Sequence, residues 1–281
     1  GLKRMIGGFP EASSFGYYTL GLFGFWLAFW LRVPTSRLAP WMLALTTLAL
    51  LRSTSSAAYV AAALFVATHA GWSTLNGLRP RLDRRTVGAA IGAGLLAWLG
   101  LVGLLAAYQL ADPVTAYLDR ALFDKLDTAS GVERMSWNAQ AFRNFLETGL
   151  LGAGLGALRA SNWLLATMGS LGLIGTALFL AFLGALARLP ARTGDPGRDA
   201  AIGGLKAACL AQFLSAMLTH PTPDLGIFFF ALAGLATGLS RGGVLESRRG
   251  RTGAIVAGAG SPAHQSPPAG VTVSEGARRI A

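Results

Sequence analysis

Charge is what this 281-residue chain has least of: Asp, Glu, Lys and Arg make up 13% of it. A soluble domain carries roughly 25%. Too few water-facing side chains remain to cover a composition that is 53% hydrophobic, which excludes an ordinary soluble enzyme. A mean hydropathy of +0.50 excludes a wholly disordered chain. Cysteine occurs once, at Cys209, so no internal disulfide forms and a stapled secreted domain is excluded. Histidine is as scarce: His69, His220 and His264 stand in separate segments, and no Cys/His spacing suits zinc. Also missing is a Gly-x-Ser-x-Gly nucleophile elbow with partners in usable order. Gly152-x-Gly154-x-Gly156 follows no strand pattern and lacks full dinucleotide-loop spacing. Finally, there is no period-two alternation in segments of about ten residues, so a membrane β-barrel is excluded.

What the chain does have is long apolar runs rich in Leu, Ala and Gly. A bilayer core of about 30 Å takes about 20 apolar residues per helix. Seven runs qualify in whole or part: 15–31, 38–51, 56–72, 87–110, 162–187, 204–218 and 225–239. The second, sixth and seventh are short. The expected fold class is therefore an all-α integral membrane protein of about seven transmembrane helices. The 37 glycines supply small faces for close helix packing, Gly169, Gly172 and Gly175 among them.

Charge sets the orientation. With the N-terminus outside and seven alternating spans, sixteen basic and five acidic residues fall inside, and eight of each fall outside. Basic residues favour the cytoplasmic side. The net charge of +11 is thus a topology signal, and nothing else supports a nucleic acid partner. The expected organisation is transmembrane helices with an outer N-terminal loop over 1–110, an extracytoplasmic helical loop over 111–161, and further spans over 162–240. A Gly-, Ser-, Pro- and Arg-rich stretch over 241–281 reads as a disordered cytoplasmic tail near anionic lipid.

The outer loop is the most informative stretch, because loops this long between membrane helices are usually functional. Asp112-Pro113 reads as a helix start, followed by an amphipathic segment over 115–126. A break at 127–131 precedes a second amphipathic helix over 132–147, with Met135, Trp137, Phe142, Phe145 and Leu146 as its apolar side. Residues 152–156 read as a flexible glycine turn. Arg120 and Arg143 read as solvated, or as paired with Asp124 and Glu147 at helical spacing. Arg134 and Arg159 flank the second helix and the turn, and Arg52 ends the second span. Arginine presents a permanently charged fork that pairs bidentately with phosphate. Interfacial snorkelling also accounts for Arg52.

Glu133-Arg134-Met135-Ser136-Trp137, the glycine turn, Arg159-Ala160-Ser161-Asn162-Trp163 and Gly172-Leu173-Ile174-Gly175 together resemble the signature region of the O-antigen ligase/polymerase superfamily. Gly8-Phe9-Pro10-Glu11-Ala12-Ser13 resembles the outer loop of its exopolysaccharide-type polymerases. Leu51-Arg52-Ser53-Thr54-Ser55-Ser56-Ala57 resembles their Ser/Thr-rich helix start. The chain departs from the pattern in three places. Trp137 follows Arg134 by three positions rather than four, Ser161-Asn162 stands where ligases often have His-Asn, and Ser55-Ser56 stands where they tend to have Ser-Arg. The last two departures favour the polymerase branch.

The resemblance implies a metal-independent membrane glycosyltransferase fold with no cofactor, in the bacterial cytoplasmic membrane. Its partner would be a polyprenyl diphosphate-linked glycan, alongside membrane lipid and other polysaccharide assembly or export proteins. It assigns diphosphate binding and departure to Arg134 and Arg159, with Arg52, Asn162 and Glu11 as substrate-binding candidates. Glu11 and Asp224 are outer carboxylates able to act as a base. Family members usually have more spans, so the chain reads as the C-terminal part of a longer protein. Two rival readings are a transporter, which needs broken helices or intramembrane charge, and a non-catalytic scaffold of an export complex. Of intramembrane charge the spans hold only His69, which reads as a packed core residue, and Lys206 near an end.

Overall fold

A computed structural model describes residues 8–9, 11–77 and 129–259, which form seven helices and no strand. They are α1 (Ala12–Arg32), α2 (Leu38–Arg52), α3 (Ser56–Gly77), α4 (Ala129–Glu147), α5 (Trp163–Arg188), α6 (Pro196–Thr219) and α7 (Gly226–Ala259). The expected span over 87–110, the loop helix over 115–126 and the Arg120–Asp124 pair lie outside the described residues. Among the described residues three helices are long and apolar enough to cross a membrane: α5, α6 and the first 18 residues of α7. This is the make-up of a helical membrane protein.

α6 is the centre of the bundle. Of the residues in its most apolar stretch 61% are buried, against 22% in α5 and 28% in α7. One side of it joins Leu20, Ala28, Leu50, Ala58 and Phe65 of α1–α3 through Ala207 and Ala211. The other side joins Trp163, Leu186, Phe229, Leu232 and Ala236 of α5 and α7 through Leu205, Ala208 and Ala216. Small residues set the spacing. A methyl built on Gly24 of α1 would stand 3.0 Å from the Ala211 Cβ and 3.1 Å from the Ala207 carbonyl oxygen. Lipid tails are as apolar as leucine, so such helices associate by close backbone packing rather than by exclusion from water. The periphery is apolar and open, as at Trp41 on α2, Ile174 on α5 and Ile227 on α7. A soluble monomer seldom exposes so much.

The helix limits follow local chemistry. Asp195 accepts a bond from Gly197 N at 2.9 Å with Pro196 at the first helical position, starting α6 eight residues before the expected apolar run. Arg198 and Asp199 in that first stretch are why hydropathy alone misses it. α7 continues past the expected end at residue 239 to Ala259, so the first part of the expected tail is helical. Proline enters only at Pro262. Residues 260–281 lie outside the described residues.

Antiparallel packing gives the bundle two ends. One gathers the start of α1, the α2–α3 turn, the start of α5 and the α6–α7 turn. Tyr17 hydroxyl donates to the Leu225 carbonyl at 2.9 Å there, and Asn162 Nδ2 to that of Met217 at 2.6 Å. At the other end the Ser240 hydroxyl donates to the Pro190 carbonyl at 2.7 Å and Lys206 Nζ to that of Leu189 at 2.8 Å. Arg32, Arg188, Arg198 and Arg241 stand at this second end.

Candidate functional site

Within α5 the backbone leaves the helix at Gly172, where φ is 68° and ψ is −167°. The glycine turn fills the break. Ala153 N donates to the Gly169 carbonyl at 2.7 Å, Gly154 N to that of Ser170 at 3.0 Å, and Leu173 N to that of Leu150 at 2.8 Å. Backbone groups freed at membrane depth must find such partners, since lipid offers none. Gly152 and Gly172 face each other in this contact. A Cβ on Gly172 would overlap the Leu151 carbonyl, and one on Gly152 would stand 2.5 Å from Gly172 N. The expected flexible turn is thus a docked one, with every glycine from Gly152 to Gly156 at positive φ. Gly169 does serve packing: its added methyl would lie 2.8 Å from the Ala141 carbonyl oxygen of α4.

α4 starts at Ala129, inside the expected break, and closes in a Schellman motif, with Gly149 N bonded to the Leu146 carbonyl and Leu150 N to that of Phe145. Its apolar residues divide between two faces. Ala141 and Phe145 are buried and Trp137 is half-buried, whereas Val132, Met135, Phe142 and Leu146 are exposed. Asn138 Oδ1 accepts from Ser161 N at 2.7 Å and pins the helix to the strand-like approach into α5. There the Arg159 guanidinium lies 5.7 Å from the Trp137 ring centroid. Arg134 is exposed one turn earlier, on the helix face that carries Trp137 and Asn138. Arg143 Nη2 donates to Gln140 Oε1 at 3.2 Å rather than pairing with Glu147.

The other sequence candidates sit at the same end of the bundle. Arg52 is exposed at the last turn of α2. Beside it Thr54 holds φ at 47°, a strained value for a β-branched residue, and its buried hydroxyl has no partner. Glu11 is exposed at the start of α1 and accepts from the Ser13 hydroxyl at 2.9 Å. Asn162 joins two helices. Its Oδ1 caps α5 by accepting from Leu164 N at 2.9 Å and Leu165 N at 3.2 Å, while Nδ2 holds Met217. Asp224 Oδ1 accepts from Gly226 N at 2.8 Å and starts α7. Its carbonyl lies 2.6 Å from His220 Nε2, and the His220 ring packs on Tyr17. Burial pushes His220 below the ordinary imidazole range, against the raising effect of the Asp224 carbonyl and charge. His69 is half-buried and stacks on Phe65.

Trp137 and Asn138 seat Arg159 and its segment, a role that neither the amphipathic pattern nor the motif around Trp137 reveals. Among the described residues no three His, Cys, Asp or Glu side chains gather as a metal site. No protein-family model, curated protein or solved structure matches this chain.

Proposed function

We propose that this chain is part of a membrane glycosyltransferase of the polysaccharide-polymerase type. It would take glycan from a polyprenyl diphosphate carrier at the outer face of the bacterial cytoplasmic membrane, on a bundle of about seven spans. The observation that carries the reading is the Arg159 guanidinium over Trp137, with Arg134 one turn away on the same helix. Two guanidinium groups at the rim of apolar helices suit a diphosphate whose lipid tail stays in the bilayer. In the transfer, an acceptor hydroxyl oxygen bonds to the anomeric carbon as the bond to the diphosphate oxygen breaks. The diphosphate leaves with the electron pair, stabilised by Arg134 and Arg159. The hydroxyl proton passes to an exposed carboxylate such as Glu11 or Asp224. Strained backbone supports a functional role for these loops: Thr54, beside Arg52, and Leu150, just before the glycine turn, both hold positive φ. Such outliers cluster at functional sites.

Arg134→Ala in the intact protein should abolish polymer growth while membrane abundance stays unchanged. Polymer of normal length would overturn the reading. A ligase acting on a lipid or protein acceptor would use the same donor chemistry, and it predicts transfer of glycan without chain growth.

The break at Gly172 favours a second reading, a transporter, because discontinuous spans form the substrate sites of many carriers. Uptake of labelled lipid-linked glycan into sealed vesicles, retained in Arg134→Ala, would select it.

A further inference from the structure

At the opposite end of the bundle Arg32 of α1 and Lys206 of α6 are two basic side chains that meet one face of α6. The Arg32 guanidinium, at the last turn of α1, lies across Gly203 of α6, and a methyl on Gly203 would stand 2.5 Å from its Cζ. Lys206 follows Gly203 by three positions, on the same face of α6. Each cation has one backbone bond: Arg32 Nη1 donates to the Ala28 carbonyl at 3.0 Å, and Lys206 Nζ to that of Leu189 at 2.8 Å. Arginine carries five N–H donors and lysine three, so most remain unused. Among the described residues neither pairs with Asp or Glu, and the Oδ1 of Asp199, one turn from Gly203, accepts from Thr193 N and the Thr193 hydroxyl. Cations at the edge of a bilayer are costly unless paired, and mutual repulsion adds to that cost.

We infer that Arg32 and Lys206, converging at Gly203, form a binding site for a phosphate group at the basic end of the bundle. The guanidinium fork takes two phosphate oxygens and the lysine a third contact. Two sources supply this chemistry: an anionic phospholipid headgroup of the adjacent leaflet, or free phosphate. Basic pockets between membrane helices are known to hold lipid headgroups. The site is remote from Arg134 and Arg159 and stands whether or not the glycosyltransferase reading does.

The test uses the full chain in phosphatidylcholine bilayer discs, with thermal unfolding followed as phosphatidylglycerol replaces phosphatidylcholine and, separately, as inorganic phosphate is added. A ligand of the folded state raises the midpoint by mass action, and the rise saturates. Arg32→Gln and Lys206→Met should each weaken the apparent affinity about tenfold, the scale of one lost charge-assisted hydrogen bond. Arg37→Gln, at the same end, should leave it unchanged. If Arg32→Gln does not fold, Arg32→Lys, which keeps the charge and loses the fork, should show an intermediate affinity. A rise with phosphatidylglycerol alone assigns a lipid headgroup, and an equal rise with inorganic phosphate assigns the free ion. No rise with either anion, a rise that Arg32→Gln or Arg32→Lys keeps in full, or an equal loss in Arg37→Gln would overturn the inference.

Discussion

Asn162 shows how one side chain at the rim of the bundle joins two helices. Its oxygen caps α5 through two N–H groups while its nitrogen holds the end of α6. Asn162→Ala should cost about 1–2 kcal/mol for the cap alone. Asn162→Asp keeps the acceptor but cannot donate to Met217, so it should fall between the two; thermal unfolding in detergent micelles reads the order. His220 gives the same rim a pH dependence. Because burial holds it below the ordinary imidazole range, the folded chain binds fewer protons than the unfolded one. Stability is then full at neutral pH and declines as pH falls through about 6.5 toward the lower folded value. His220→Gln should flatten that decline, and an unfolding midpoint with unchanged pH dependence in the variant would contradict the assignment. At this scale the sequence shows residue types but not partners. Arg159 and Trp137 are 22 positions apart, and nothing in either segment reveals that one ring seats the other cation.

Among the elements, α5 separates what apolar length reveals from what it conceals. Its extent is legible as an apolar run over 162–187, against an observed Trp163–Arg188. Its break is not, because Gly169, Gly172 and Gly175 read equally well as a smooth packing face. Only the docking of residues 150–154 tells a broken helix from a grooved one. The two alternatives predict opposite signs for one substitution. In a continuous helix Gly172→Ala would stabilise by about 1 kcal/mol. Here the left-handed φ and the overlap with Leu151 should make it destabilising, by about 1–2 kcal/mol from the backbone alone and more from the clash. Gly152→Ala should act in the same direction, and chemical unfolding of both variants checks the sign. α6 gives the complementary lesson: its capped, charged first two turns are helical for reasons of Asp195 and Pro196 that a hydropathy window does not weigh.

For the whole molecule, the sequence conveys class more readily than site. Low charge and long apolar runs already exclude a soluble fold, and three helices of membrane length agree with that. In the packing Arg32 and Lys206 stand at one end of the bundle and Arg52 and Arg159 at the other. Where α6 meets α1 the bundle also carries an uncompensated cost. Gln212 is fully buried against Gly21, and among the described residues neither its Nε2 nor its Oε1 has a partner. A buried polar group left unpaired costs about 1–3 kcal/mol. Gln212→Met, close in volume and unbranched, should therefore raise the unfolding midpoint, and a lowered midpoint would mean the amide has a partner in the membrane.

The central claim is that the Arg134–Arg159 rim binds a lipid-linked diphosphate. Its most direct test is the affinity of the full chain, held in bilayer discs, for a polyprenyl diphosphate. Arg134→Ala and Arg159→Ala should each weaken binding about tenfold or more, while Arg143→Ala, whose guanidinium is engaged with Gln140, should leave it unchanged. Equal affinity for all four proteins, or none for the unaltered chain, would contradict the account.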